Sequence, residues 1–355
     1  MLLALLIGLA LGSIGLLALA LMVWLSHQRF AVDRSAKHGI SVRDTSRLGG
    51  LAVITFMAVI WTISLLSKEG LLSLELVVPL NTPPVHVWPV LLIGLIGFVD
   101  DVGVEAKPLV RLSLMVVIGL ASFIVVPDML PNRLLSALSL EAILGPPAIG
   151  ILASFFLAGF VNAANISDGA NGLLSGVGLV FFWVAWQLEG DAVSFYILIS
   201  LLCFWWVNVL TGKIMLGDLG AYAQGALIVF VSFNLFDEHG VNPFFLASLV
   251  SYPCVELIRT ILERLVRGQS PFSADNMHLH NLLNRKMREL LRGNTLPNSI
   301  TGILIALVST LPGILIFNLG LYSLTLVNFA VFCAQAGVHL LLWSRLKADR
   351  PKLPV

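Results

Sequence analysis

Long uninterrupted apolar runs constrain this chain more than any other feature. No residue from Leu2 to Leu25 is charged, and similar stretches recur, as from Gly150 to Val161 and from Leu174 to Leu188. Hydrocarbon offers no water to satisfy backbone N–H and C=O groups, so an apolar run of about 20 residues has to be a helix. The composition agrees: 58% of the 355 residues are hydrophobic and 12% charged, against roughly 45–50% and about 25% in soluble domains. Mean hydropathy is +0.95. These values exclude a soluble or nucleic-acid-binding protein and imply an all-α polytopic membrane protein. It reads as a single integral membrane unit over 1–355, with no internal repeat.

About eleven spans are expected, centred near residues 14, 58, 94, 118, 151, 180, 202, 228, 250, 309 and 332. Pro146 and Pro147 interrupt the start of the span near 151. The first run lacks a basic start and is too long for a signal-peptide core, so it is expected to be retained. Cys203, Cys254 and Cys333 lie in or beside apolar runs without paired spacing, as packing residues would. With this count every lysine and arginine except Lys68 and Arg133 falls on one side. The positive-inside rule makes that side cytoplasmic, with the N-terminus out and the C-terminus in. The largest piece outside the bilayer is then the segment of about 259–299.

Nearly all polar residues that suggest chemistry sit at the cytoplasmic ends. In Asn162-Ala-Ala-Asn-Ile-Ser-Asp-Gly-Ala-Asn-Gly-Leu173, the side chains of Asn162, Asn165 and Asp168 recur every three residues. That spacing places them along one helix face, and Gly169 and Gly172 let backbone approach a ligand. Two amides and a carboxylate at a membrane boundary are costly unless something polar lies between them, and a metal–phosphate ligand would serve. A polar helix end followed by turn glycines is the bland alternative. Asp100 and Asp101 end the third span; neighbouring helical residues diverge by about 100°, so one of them should orient a lysine or arginine rather than face a common centre. Asp218 is flanked by Gly217 and Gly220, which suits Mg²⁺ held by one or two carboxylates together with phosphate oxygens and water. Asn208 could reach a nucleotide or equally bond between helices.

The 259–299 segment opens as an amphipathic helix carrying Glu256, Arg259, Glu263, Arg264 and Arg267 and stopped by Gly268. Beyond it come Asp275 and His278-Leu-His280-Asn281. If that piece is extended, His278 and His280 share a face and could neutralise a pyrophosphate. A zinc site competes but needs further ligands nearby, and a solvated basic loop is the plain alternative.

Phe98-Val-Asp-Asp101, Asn162-Ala-Ala-Asn-Ile-Ser-Asp-Gly169, Leu216-Gly-Asp-Leu-Gly220 and Ser270-Pro-Phe…Asp275…His278-Leu-His280 occur in an order that resembles the polyprenyl-phosphate N-acetylhexosamine-1-phosphate transferases (glycosyltransferase family 4). Arg47-Leu-Gly-Gly50 looks like that family's early motif, and the resemblance covers about residues 1–345. It implies transfer of an amino-sugar phosphate from a UDP-sugar to a membrane polyprenyl phosphate such as undecaprenyl phosphate, releasing UMP. It further implies Mg²⁺ as cofactor, with Mn²⁺ as a substitute, and an active site on the cytoplasmic face of a bacterial inner membrane. By the same resemblance Asp218 is the main metal ligand with Asn165 contributing. Asp100, Asp101, Asp168, His278 and His280 form the catalytic set, and Asn162, Asn208, Arg264 and Arg47 contact substrate. Departures are Asn281 for a further histidine, Asn171 for an aspartate, Met215 for an aromatic, Glu256 for an aspartate and Ser46 for a proline. The histidine segment resembles members that start O-antigen or related surface glycans more than the peptidoglycan-precursor enzyme. A homodimer is left open, and nucleic acid is not an expected partner. A secondary transporter is the runner-up function, but it would place polar residues at the midplane of related halves.

Overall fold

The computed structural model describes residues 20–28, 31–33, 45–68, 87–104, 106–133, 145–272 and 276–349. The expected span near residue 14, and Asp275, lie outside these residues. The architecture is all-α, a multi-pass membrane bundle with one small hairpin. The helices are α1 (Gly49–Lys68), α2 (Val87–Asp101), α3 (Pro108–Val125), α4 (Pro146–Ser167), α5 (Leu173–Glu189) and α6 (Ala192–Thr211), followed by α7 (Gly217–His239), α8 (Pro243–Leu249), α9 (Ser251–Val266), α10 (Leu279–Leu290), α11 (Thr295–Asn318) and α12 (Thr325–Ala348). Strands β1 (Val32–Asp33) and β2 (Thr45–Ser46) pair antiparallel, Val32 opposite Ser46.

Each expected centre from 58 to 228, and those at 309 and 332, falls within a helix. Length separates these helices. Among the described residues six are long and apolar enough to cross a membrane, α3, α4 (from Pro147), α6, α7, α11 and α12, or up to seven if α8 and α9 form one bent span. Helix α2, with 15 residues, rises only about 22 Å, short of a hydrocarbon core of about 30 Å. Pro146 and Pro147 open α4 rather than interrupt it, because the first helical positions need no N–H partner. The centre at 250 marks a corner: α8 and α9 meet there at 89°. Val250 leaves helical geometry, and Pro253 removes a donor just beyond it.

Helix α7 is the axis, buried over most of its length and packed by α1, α2, α4 and α5. Lipid tails are as apolar as leucine, so close approach between small residues has to hold such contacts. Gly50 on α1 and Gly220 on α7 cross so tightly that a Cβ on Gly220 would lie 2.6 Å from the Gly50 Cα. On α2, a Cβ at Gly97 would lie 2.3 Å from the Asp218 carbonyl. The periphery is apolar: Leu109, Val117, Ile124 and Val125 of α3 are exposed, as are Leu326, Leu340 and Leu341 of α12. Helix α9 is amphipathic in the inverted sense, burying Glu256, Arg259 and Arg264 and exposing Ile258, Leu262 and Leu265.

Candidate active site

The site is built around the first turn of α7. Gly217 reaches it through a left-handed backbone (φ +71°), and a Cβ there would lie 2.1 Å from the Arg47 carbonyl oxygen. The chain before α7 is stitched to the Arg47 motif. Ser46 N–H donates to the Lys213 carbonyl (3.0 Å), Met215 N–H to that of Ser46 (2.8 Å), and Gly50 N–H to that of Leu216 (2.8 Å).

A helix begins with N–H groups that have no intrahelical partner. Here carboxylates from other helices supply the partners. Gly217 N–H donates to Asp168 Oδ2 (3.1 Å), Asp218 N–H to Asp101 Oδ1 (3.0 Å) and Leu219 N–H to Asp101 Oδ2 (2.9 Å). Asp101 is thus the cap of α7, its side chain 1% exposed, with an Arg47 guanidinium nitrogen 3.9 Å from Oδ1. Asp100 turns aside: Oδ1 accepts the Ala106 N–H (3.1 Å) and Oδ2 pairs with Arg111 of α3. The same Arg111 nitrogen lies 3.2 Å from the Tyr222 hydroxyl and 3.7 Å from Asp218 Oδ2. Of the pair, Asp100 meets the Arg111 guanidinium directly, while Asp101 binds backbone with Arg47 beside it.

Asp218 differs from its neighbours. Its side chain keeps 19% of its surface exposed, and the Asn165 side chain of α4 stands beside it. Asp168 just beyond α4 is held in its neutral form more than usual, chiefly by burial. Among the described residues, no three histidines, cysteines or carboxylates stand together as a self-sufficient metal cage. The donors present, Asp218 with the Asn165 amide and Asp168 adjacent, are hard oxygen groups of the number Mg²⁺ takes when phosphate and water complete its shell. The residues fit that ion.

The histidine segment packs beside this turn. His278 is extended (φ −62°, ψ 146°) and caps α10, which begins at Leu279. The segment is therefore extended only at His278 and helical from Leu279, so the condition under which the two histidines would share a strand face is not met. The two rings still stack, centroids 5.5 Å apart and 11° from parallel, because the cap backbone turns His278 over the first helical turn. His278 Nδ1 donates to Glu256 Oε1 (2.9 Å). His280 is buried, its Nδ1 2.7 Å from the Tyr252 hydroxyl, and a Cβ on Gly169 would lie 2.2 Å from its Nε2. Burial, and then the nearby His278, push its pKa down to about 3. His280 therefore favours its neutral form, and its ring packs between Tyr252 and Gly169. It joins α10 to the Asp168–Asn171 turn.

Three of the expected substrate contacts have protein partners in this arrangement. Asn208 is 3% exposed; its Oδ1 accepts the Gly172 N–H and its Nδ2 donates to the Ile214 carbonyl, both at 2.6 Å. Its place is the interhelical bond of the two readings, because the chain turns at both neighbouring helix ends leave backbone groups to satisfy. Asn162 donates to the Ala158 carbonyl of its own helix (2.7 Å) and faces Met115 of α3. Arg264 is buried and donates to the Pro271 carbonyl, closing the loop after α9. Asn171, the departure from an aspartate, donates its backbone N–H to Asn298 and its amide to Ser299 at the start of α11. Sequence reasoning missed Arg111, Tyr222, Tyr252 and His339. Arg111, Tyr222 and His339 lie on helices whose local pattern reads as apolar and Tyr252 at the apolar start of α9, and each is read as part of the site only from what it faces.

A family model described as glycosyl transferase family 4 matches residues 84–235. The chain is 28% identical over 313 residues to a decaprenyl-phosphate N-acetylglucosaminephosphotransferase of Mycobacterium leprae, covering 78% of this chain and 76% of the relative. It is 32% identical over 130 residues to an undecaprenyl-phosphate alpha-N-acetylglucosaminyl 1-phosphate transferase of Thermotoga maritima, covering 36% of this chain and 41% of that one. To a phospho-N-acetylmuramoyl-pentapeptide-transferase of Enterococcus hirae it is 31% identical over 163 residues, 41% of this chain and 50% of the relative.

Proposed function

The chain belongs to the polyprenyl-phosphate N-acetylhexosamine-1-phosphate transferases of glycosyl transferase family 4, and on that premise we propose that it moves an N-acetylhexosamine 1-phosphate from a UDP-sugar to undecaprenyl phosphate, releasing UMP. One observation carries this reading: the C-terminal ends of α2 and α4 meet the first turn of α7, bringing together Asp101, Asp168, Asn165 and Asp218 beside Arg111, Arg47 and the histidine segment. A lipid phosphate is confined to the end of apolar helices, and a nucleotide sugar can arrive only from water. A polar centre at one end of the bundle suits both, and a transporter's midplane site would not.

Mg²⁺ would be held by Asp218 with Asn165 and would offset the charge of two phosphate-bearing substrates. Arg111 and Arg47 bring positive charge to the same place, and Asp100 aims Arg111. Both Asp101 oxygens accept α7 N–H groups and both Asp100 oxygens are engaged. Neither is offered as a nucleophile, which supports direct in-line attack by the lipid phosphate. That phosphate needs no strong base, since a monoester is mostly dianionic at pH 7. For the donor the reading favours UDP-N-acetylglucosamine or 6-deoxy relatives such as UDP-N-acetylfucosamine or UDP-N-acetylquinovosamine, for a surface glycan such as O-antigen. By the same reading the enzyme works in the bacterial inner membrane with this end in the cytoplasm, which the positive-inside rule supports. Purified protein given UDP-N-acetylglucosamine, undecaprenyl phosphate and Mg²⁺ should release UMP. No UMP with any of the three donors, or turnover of UDP-N-acetylmuramoyl-pentapeptide instead, would overturn the assignment.

A further inference from the structure

The residues that α12 buries in the protein are all polar: Asn328, Gln335 and His339. Trp343 and Lys347 continue the row at four-residue spacing, so five polar groups run down one face of the last helix. Each meets a defined partner. Gln335 donates to the Ser248 carbonyl at the α8–α9 corner (2.9 Å) and to that of Ser309 (2.7 Å). His339 Nε2 donates to Glu256 Oε2 (2.8 Å). Trp343 Nε1 donates to the Met277 carbonyl (2.8 Å), just ahead of His278, and its ring lies under Arg259 (4.6 Å). Lys347 pairs with Glu263 at 2.7 Å.

Glu256 is the centre of this row. Its carboxylate is fully buried and receives Nδ1 of His278, Nε2 of His339, the Arg259 guanidinium and, at 3.4 Å, the Leu279 N–H. A buried carboxylate is tolerable only when its lone pairs are filled, and its orientation follows the donors that fill them. His339 holds Oε2 while His278 takes Oε1, so one ring fixes the carboxylate that fixes the other. The His278 Nε2 edge then points away from Glu256.

We propose that His339 is a positioning residue: through Glu256 it fixes the ring of His278 for the phosphates of the donor, making the last helix a part of the donor site. This rests on the transferase reading above. The test compares the parent, His339→Leu and His339→Gln as full chains in nanodiscs with UDP-N-acetylglucosamine and undecaprenyl phosphate. His339→Leu should raise KM for the UDP-sugar about tenfold, the scale of one lost hydrogen bond to a charged group, and leave KM for the lipid phosphate within about twofold. His339→Gln keeps an N–H at Glu256 and should recover most of the donor KM. Equal changes in both KM values, or a glutamine variant as impaired as the leucine one, would overturn the proposal. If His339→Leu does not fold, His339→Asn, whose shorter amide does not reach Glu256, carries the same expectation. A second readout needs no turnover: ethoxyformylation of His278 by diethyl pyrocarbonate, followed by peptide mass spectrometry. It should quicken several-fold in His339→Leu and stay at the parental rate in His339→Gln; an unchanged rate in the leucine variant would refute the coupling. A parent that releases no UMP while His278 reactivity still follows residue 339 would remove the transferase reading and keep the positioning contact.

Discussion

Asp101 and Asp218 stand on touching helix ends and differ in what their oxygens meet. Asp101 closes two N–H groups of α7, so removing its charge should weaken the helix start by about 1–2 kcal/mol, the scale of a lost cap. Asp218 caps nothing in this way and shares its side chain with Asn165 and the partly exposed centre. We therefore expect Asp101→Asn to lower the melting temperature clearly, and Asp218→Asn to leave it nearly unchanged while activity falls by about a hundredfold or more. An active Asp218→Asn enzyme would end its assignment as metal ligand. Direct attack makes a further demand. Labelled UMP should not exchange into UDP-sugar when lipid phosphate is absent, and lipid-independent exchange that disappears on Asp100→Asn would establish a covalent route instead. His280 sets a pH dependence. Its folded pKa near 3 lies below the unfolded value of about 6.5, so the unfolded chain binds the extra proton first on acidification. That contribution is whole above pH 6.5 and declines as pH falls toward 3. The stability advantage of the parent over His280→Gln should therefore shrink between pH 7 and pH 5, measured by thermal unfolding in detergent.

At the level of elements, a helix end inside a membrane protein is only as fixed as the groups that close it. Asn208 closes two at once, the N–H at Gly172 before α5 and the carbonyl at Ile214 before α7. Asn208→Ala leaves both buried and unpaired, which costs about 1–3 kcal/mol each. The expected result is a lower melting temperature with an unchanged KM for UDP-sugar in the protein that folds; a raised KM with unchanged stability would return Asn208 to the substrate. The α1–α7 crossing depends on size alone. Gly220→Val would put side-chain atoms where the Gly50 backbone lies, separating Arg47 from the turn it is stitched to. The corner between α8 and α9 is an element-scale decision too, since Val250, Pro253 and Gln335 together turn an apolar run that would otherwise continue straight.

Over the whole molecule, charge and polarity are sorted toward one end. The acidic turns, Arg111, Arg47 and the histidine segment meet there, while Glu189 bonds Asn234 and Asp237 accepts the Asn132 N–H at the other end of the helices. If the positive-inside rule orients the bundle, cysteines placed at Glu238 and Gln269, both exposed, should differ in access. With the three native cysteines replaced, a membrane-impermeant thiol reagent added outside intact cells should reach 238 and not 269. Labelling at 269 alone would invert the arrangement and move the proposed site to the outer face.

What the sequence determined by itself is what depends on one-dimensional pattern. Apolar runs require helices in lipid, so the all-α class and the helix positions along the chain were legible, and glycine-flanked acids marked the ends where polar groups gather. A carboxylate's partners lie on other helices, and no spacing within one helix tells whether it will meet an N–H, a guanidinium or open space. Only packing decided that Asp101 caps α7, that Asp100 turns to Arg111, that Asn208 closes backbone and that His280 is buried against Tyr252. The last helix shows the same limit. Its polar residues stand at regular spacing in the sequence, but the α8–α9 corner puts Glu256 within reach of His339, 83 residues away along the chain.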